Sequence, residues 1–143
     1  MAGAIFIDSN IILRHVIGDA PAQAAACRDL FRAVEAGRRP VWTTHQAIAE
    51  CVYVLTKMYQ TDRRIVAGLL RKLIDLPGFG LDQKRVIHRA FDLFVAHPNI
   101  DYDDCYHAAL VLSRGETQIM SFDRHFDRLP GVERVEPRRR SER

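Results

Sequence analysis

GAIFIDSNIIL, residues 3–13, decides the fold. Ala4, Ile5, Phe6 and Ile7 form a short apolar run with β-branched and aromatic members, the pattern of a strand buried on both faces of a parallel sheet. The run ends on Asp8. Ser9 and Asn10 can cap a helix, and Ile11, Ile12, His15 and Val16 then give an apolar stripe at helical spacing, so the chain turns from strand to helix at the carboxylate. Open α/β sheets hold their ligands at that end of a strand. Asp8 is therefore either a cap alone or a site residue, and the rest of the chain must decide.

Beyond the first helix, Asp19 and Pro21 start a second, which Gly37 ends. Pro40 to Thr43 read as a short strand, and Thr44 caps a third helix to about Tyr59. Thr61 opens a fourth, ended by Pro77 and Gly78, and Phe79 to Leu81 form a brief strand. A helix over 83–96 follows, with Val86, Ile87, Ala90, Phe91, Phe94 and Val95 on one broad face. Another runs from about Tyr102 to Arg114, then a strand TQIMSF, a helical turn after Asp123 and a last strand near 132–135. Short strands alternating with helices call for an α/β fold with a mostly parallel sheet. No repeat or linker interrupts it, so residues 1–136 are expected to form one domain.

TQIMSFD repeats the logic of IFID: an apolar strand ends on Asp123 directly before a helical turn. Two strands ending on carboxylates exceed what helix capping requires. Glu50 is the one charged residue in AIAECVYVL, a helical segment expected to be largely buried, where an unpaired carboxylate costs several kcal/mol, in rough terms, or protonates. It needs a cation, a polar cleft or a buried arginine. Asp101, Asp103 and Asp104 stand where HPNIDYDD turns into a helix; the macrodipole rewards one such acid by roughly 0.3–1 kcal/mol, and three exceed that need. Asp101 and Asp104, three apart, can point the same way.

Bringing Asp8, Glu50, Asp104 and Asp123 together is unstable unless divalent cations neutralise them. Oxygen ligands with no convergent Cys or His favour Mg²⁺, with Mn²⁺ able to substitute, and such a site suits phosphoryl chemistry by a metal-activated water. His107 reads as a packed core histidine and His125 as a surface residue on the rim. Cys27, Cys51 and Cys105 are odd in number and far apart, so reduced, semi-buried thiols are expected.

At 143 residues and 48% hydrophobic content, the chain can bury roughly 68–70% of its unfolded surface without a disulfide or structural metal. No apolar run is long enough for a membrane span and no basic targeting segment precedes the first strand, so a cytoplasmic protein without membrane contact is expected. The net charge of +3 resides in the tail: residues 138–143 carry four arginines and one glutamate, leaving 17 basic and 17 acidic residues elsewhere. Residues 137–143 are expected to be a basic, disordered tail. Arg14, Arg85, Arg89 and Arg124 flank elements near the acidic edge and are candidates to hold substrate phosphates.

FIDSNIIL, AIAECVYVL, DYDDCYHAALVLSRG and MSFDRHFDRLPGV, in this order across nearly the whole chain, resemble the PIN-domain nucleases, and more closely the VapC-type toxins of bacterial toxin–antitoxin pairs. The resemblance implies that Asp8, Glu50, Asp104 and Asp123 match the family's four acidic metal-site positions and Asp101 an accessory acid. Asn10 matches a polar residue that orients Asp8, and Ser121 stands where the family often has Thr. It further implies a PIN-like three-layer fold with a five-stranded parallel sheet flanked by helices, a homodimer, Mg²⁺-dependent endonucleolytic cleavage of RNA, and inhibition by a small cognate antitoxin.

Two other functions are compatible with an acidic cluster on an α/β edge. One is a non-toxin PIN nuclease for RNA processing or for DNA, with no antitoxin gene beside it. The other is a non-catalytic, metal-binding α/β interaction module such as a receiver domain. Receivers need adjacent early acids and a late lysine; this chain has a single early Asp, no Lys after Lys84, and Glu50 has no place in that scheme.

Overall fold

Asp8 follows the first strand by two residues and caps the first helix. The computed structural model of the protein describes residues 3–140, in two units, one up to Lys84 and one from Arg85 onward. In the first unit β1 (Ile5–Phe6) leads into α1 (Ser9–Ile17), with the Asp8 side chain, rather than those of Ser9 or Asn10, supplying the cap. Gly18 closes α1 in the left-handed region at φ 70°, where a side chain would be strained. α2 (Pro21–Glu35), β2 (Val41–Trp42), α3 (His45–Tyr53), α4 (Arg63–Ile74) and β3 (Phe79–Gly80) complete the unit. The strands are parallel in the order β1-β2-β3, in the register Ile5, Val41, Phe79 and Phe6, Trp42, Gly80.

The core of this unit forms where α1 packs on α2 and α3. Ile12, Val34, Ile48 and Cys51 are fully buried on these helices, and Val66, Leu70 and Ile74 are fully buried on α4. Gly78 has to be glycine, because a Cβ there would sit 2.6 Å from the Val34 carbonyl oxygen, which also accepts the Gly78 N–H at 3.1 Å. The expected third helix breaks early: after Tyr53 the chain takes a π turn over Val54–Met58, with the Thr56 hydroxyl donating to the Val52 carbonyl at 2.7 Å.

In the second unit α5 (Lys84–Ala96) and α6 (Tyr102–Ser113) are followed by β4 (Gln118–Met120), a 3₁₀ turn over Arg124–Arg128 and β5 (Glu133–Val135). β4 and β5 pair in parallel. Phe91 and Phe94 from α5 meet Tyr102 at the start of α6, with ring centroids 5.3 and 5.8 Å apart, so an aromatic cluster anchors the turn that presents Asp104.

The five strands among the described residues are parallel in an α/β fold, as expected, but they divide into a three-stranded and a two-stranded sheet rather than one. Each strand lasts two or three residues, so each ladder holds few bonds. β1 also departs from expectation: Ile7 is buried, but Ile5 and Phe6 are exposed. Cys27, Cys51 and Cys105 are buried and form no disulfide. No helix among the described residues is long and apolar enough to cross a membrane. Of the basic tail, residues 137–140 are exposed, and residues 141–143 lie outside the described residues.

His15 gives a pH dependence to this scaffold. Its Nδ1 is buried without a hydrogen-bond partner and its ring packs on Phe31 at 4.6 Å. Burial, and secondarily the Arg28 charge, hold its pKa below the ordinary value of 6.5. The unfolded chain takes up the proton first, so stability is full above about pH 6.5 and is lost as pH falls from there toward the folded value. The melting temperature of the wild type should therefore drop more steeply below about pH 6.5 than that of His15→Leu. Parallel curves would remove His15 from this account.

Candidate metal centre

In the first unit the acids come from a strand end and a helix face. Asp8 Oδ1 accepts the Asn10 backbone N–H at 3.0 Å, which fixes the carboxylate at the N-terminus of α1. The donor to this carboxylate is the backbone N–H of Asn10. Ser9 turns to α3, its hydroxyl donating to Glu50 Oε2 at 2.8 Å. Cys51 donates its thiol to the Ser9 carbonyl at 3.8 Å. Burial first, then the charges of Glu50 and Asp8, push that thiol up to about 12, so it stays protonated and is no nucleophile. The charges of both carboxylates thus reach one buried thiol.

Glu50 is exposed, contrary to the buried position expected of it. The buried residues of α3 are Ala47, Ile48, Cys51 and Val52, whereas Gln46, Glu50, Tyr53 and Lys57 form the open face at helical spacing. Glu50 is therefore not an isolated buried charge; it is held by Ser9, a residue the sequence singled out only as a cap.

In the second unit Asp104 stands in the first turn of α6 and Asp123 caps the 3₁₀ turn after β4. One ligand atom from each of Asp104, Asp123 and His125 lies within 4.8 Å of the others. Asp123 Oδ1 accepts the His125 backbone N–H at 2.9 Å and lies 3.1 Å from His125 Nδ1. The Asp123 N–H in turn donates to Ser121 Oγ at 2.9 Å, so the small hydroxyl at this position shapes the turn. Arg134 on β5 locks it from behind, donating to the Ser121 carbonyl at 3.0 Å while it pairs with Asp127 and Glu136. Nothing in the sequence pattern marked Arg134, whose role depends on the β4–β5 register.

Burial, and next the Asp123 charge, raise the pKa of Asp104; His107 and His125 oppose the rise and Asp101 adds to it. His107 is exposed and faces this acid, which corrects its reading as a core histidine. His125 enters the cluster, so a His does converge with the acids. Asp101 is the N-cap residue of α6, and its backbone carbonyl accepts from the Asp104 and Cys105 N–H groups. Of the arginines proposed for substrate, Arg14 is committed to Asp19 at 3.2 Å, while Arg85, Arg89 and Arg124 are exposed.

Two carboxylates that repel, one of them partly desolvated, with an imidazole in reach, fit a divalent cation held by oxygen with a nitrogen available. The donor set suits Mg²⁺ or Mn²⁺, and the imidazole tilts it toward Mn²⁺.

The family model described as PIN domain matches residues 5–132. The chain is similar to the VapC ribonuclease Mb1869c of Mycobacterium bovis and to Ribonuclease VapC13 of Mycobacterium tuberculosis. It is 26% identical to each over 136 residues, which cover 92% of this chain and 98% of the relative.

Proposed function

We propose, from the premise that this chain belongs to the PIN-domain family, that it is a Mg²⁺- or Mn²⁺-dependent endoribonuclease acting as the toxin of a toxin–antitoxin pair. The observation that carries the reading is the cluster of Asp104, Asp123 and His125, whose ligand atoms lie within 4.8 Å of one another. RNA as substrate and a small antitoxin as partner are supported by the two relatives named as VapC ribonucleases. We further propose that Asp8, Glu50, Asp104 and Asp123 all serve as metal ligands and that residues 1–136 work as one domain. The support for joining the two pairs is the match of one family model across residues 5–132.

When bound, such a cation supplies Lewis acidity to the phosphodiester and to water. The chain does the rest. Asp104 and Asp123 hold the charge, with Asp101 as an accessory acid; Ser121 and Arg134 hold the Asp123 turn, and Asn10 N–H holds Asp8. Arg85, Arg89 and Arg124 are proposed to meet substrate phosphates. The thiols of Cys27, Cys51 and Cys105 are all buried, and no step is assigned to them. Ser9 orients Glu50, so Ser9→Ala should lower cleavage roughly 10- to 100-fold, the usual effect of losing a partner behind a metal ligand. Unaltered rates in a folded Ser9→Ala protein would deny Glu50 that role.

A cytoplasmic homodimer completes the proposal. Tyr53, Met58, Tyr59, Ile65 and Leu69 leave a broad apolar surface on α3, the π turn and α4, suited to a second copy or to an antitoxin. The nuclease reading is tested by cleavage of pooled structured RNAs with Mg²⁺ or Mn²⁺ and with EDTA. Cutting that requires the metal supports it, and RNA left intact under all conditions overturns it. The toxin reading is tested separately. Induction should arrest growth, relieved by the product of a short adjacent open reading frame; cleavage without arrest would favour a processing nuclease.

A further inference from the structure

β2 ends beside a cavity that the metal chemistry does not use. It encloses about 440 Å³ at the carboxyl ends of β2 and β3 and is lined by Trp42, Thr44, His45, Gly80, Asp82 and Gln83, among others. Trp42 is the one tryptophan of the chain and is 45% exposed. Its neighbours explain why the indole has an open side. On β1 its register partner is Phe6, whose ring meets it edge-on at 4.9 Å; on β3 its register partner is Gly80. A Cβ at Gly80 would come within 3.1 Å of the Trp42 Cβ, so the missing side chain keeps space beside the ring.

The lining selects the kind of ligand. It contains no Lys or Arg and includes the Asp82 carboxylate, so a phosphate would find no ammonium or guanidinium partner there and would face a carboxylate. It combines one large aromatic face with the hydroxyl of Thr44, the amide of Gln83 and the acceptor oxygens of Asp82. A flat, uncharged ring with hydrogen-bonding edges matches that combination. The volume falls in the ordinary range of small-ligand cavities, roughly 300–1,000 Å³, enough for one base with its edge contacts.

Its place is equally telling. Asp8 stands two residues beyond Phe6, just past the end of the neighbouring strand, so an extended rise and the strand spacing put the Asp8 backbone about 8 Å from that of Trp42, at the same sheet edge. We infer that this cavity is a nucleobase subsite for single-stranded RNA, in which Trp42 stacks on a base one or two nucleotides from the cleaved bond while Asp82, Gln83 and Thr44 contact its edge. The inference rests on the ribonuclease reading and deepens it. Trp42 is a positioning and specificity residue rather than a metal ligand.

The lone tryptophan makes the test direct. The intact protein in EDTA is titrated with short single-stranded RNA, following Trp emission together with the anisotropy of a label on the RNA. Emission should quench along the same binding curve, and an abasic oligonucleotide of equal length should bind without that quench. With metal present, Trp42→Ala should raise KM roughly 5- to 150-fold, the range of a lost base–aromatic stack, with kcat close to wild type and Trp42→Phe recovering part of it. RNA that binds and is cut while Trp emission stays constant overturns the subsite and leaves the nuclease standing. RNA that is neither bound nor cut removes the nuclease reading and the subsite with it.

Discussion

Asp104→Asn is expected to lower metal-dependent RNA cleavage by more than about 100-fold, beyond what loss of a partner behind a ligand costs, and at the same time to raise the melting temperature of the metal-free protein. The two effects have one cause. Burial and the Asp123 charge hold the Asp104 carboxyl above its ordinary range, so the folded state binds that proton more tightly than the unfolded chain. The stabilising effect of the proton is lost as pH rises through the folded value, so near pH 7 the wild type carries the repulsion and the amide does not. Asp123→Asn should act in the same direction on activity. Activity is read with Mg²⁺ or Mn²⁺ and melting is read in EDTA. A folded Asp104→Asn protein that cuts at the wild-type rate would remove this cluster from catalysis, whereas a variant both inactive and less stable would give Asp104 a structural role.

Phe91→Ala is expected to cost roughly 3–5 kcal/mol of folding stability, through the transfer energy of a fully buried ring and the cavity it leaves. That is a large part of the roughly 5–15 kcal/mol by which a domain is stable at all. The loss also reaches the site. Phe91 and Phe94 pack on Tyr102, which is two residues from Asp104 in the first turn of α6. Denaturant titration should show the midpoint falling, and metal affinity measured by calorimetry at low temperature should weaken as well. A loss below about 1 kcal/mol would mean that the cluster repacks and does not hold the turn.

What could be read from the residues alone depended on how local the cause was. The strand-to-helix turns at Asp8 and Asp123 were legible because a capping acid acts within two residues, and both side chains do accept a backbone N–H there. Gly78 read as a helix stop, but its necessity comes from the Val34 carbonyl 44 positions earlier. Glu50 stands alone among uncharged neighbours in its segment, which points to burial, yet the residue is exposed. Its periodicity with Gln46, Tyr53 and Lys57 would have put it on the open face. His125 escaped because its ring meets Asp123 through the shape of a 3₁₀ turn, and Arg134 because its reach to Ser121 depends on strand pairing.

Element order, the α/β class and the identities of the acids therefore follow from the chain's local pattern, since propensity, capping and hydrophobic period act over a few residues. Which oxygen each acid presents, the partnership of Ser9 with Glu50, the entry of His125 into the cluster and the cavity beside Trp42 were decided by tertiary structure. Each of them is a distance between atoms remote along the chain or turned by a local bend, and only packing and strand register set such distances.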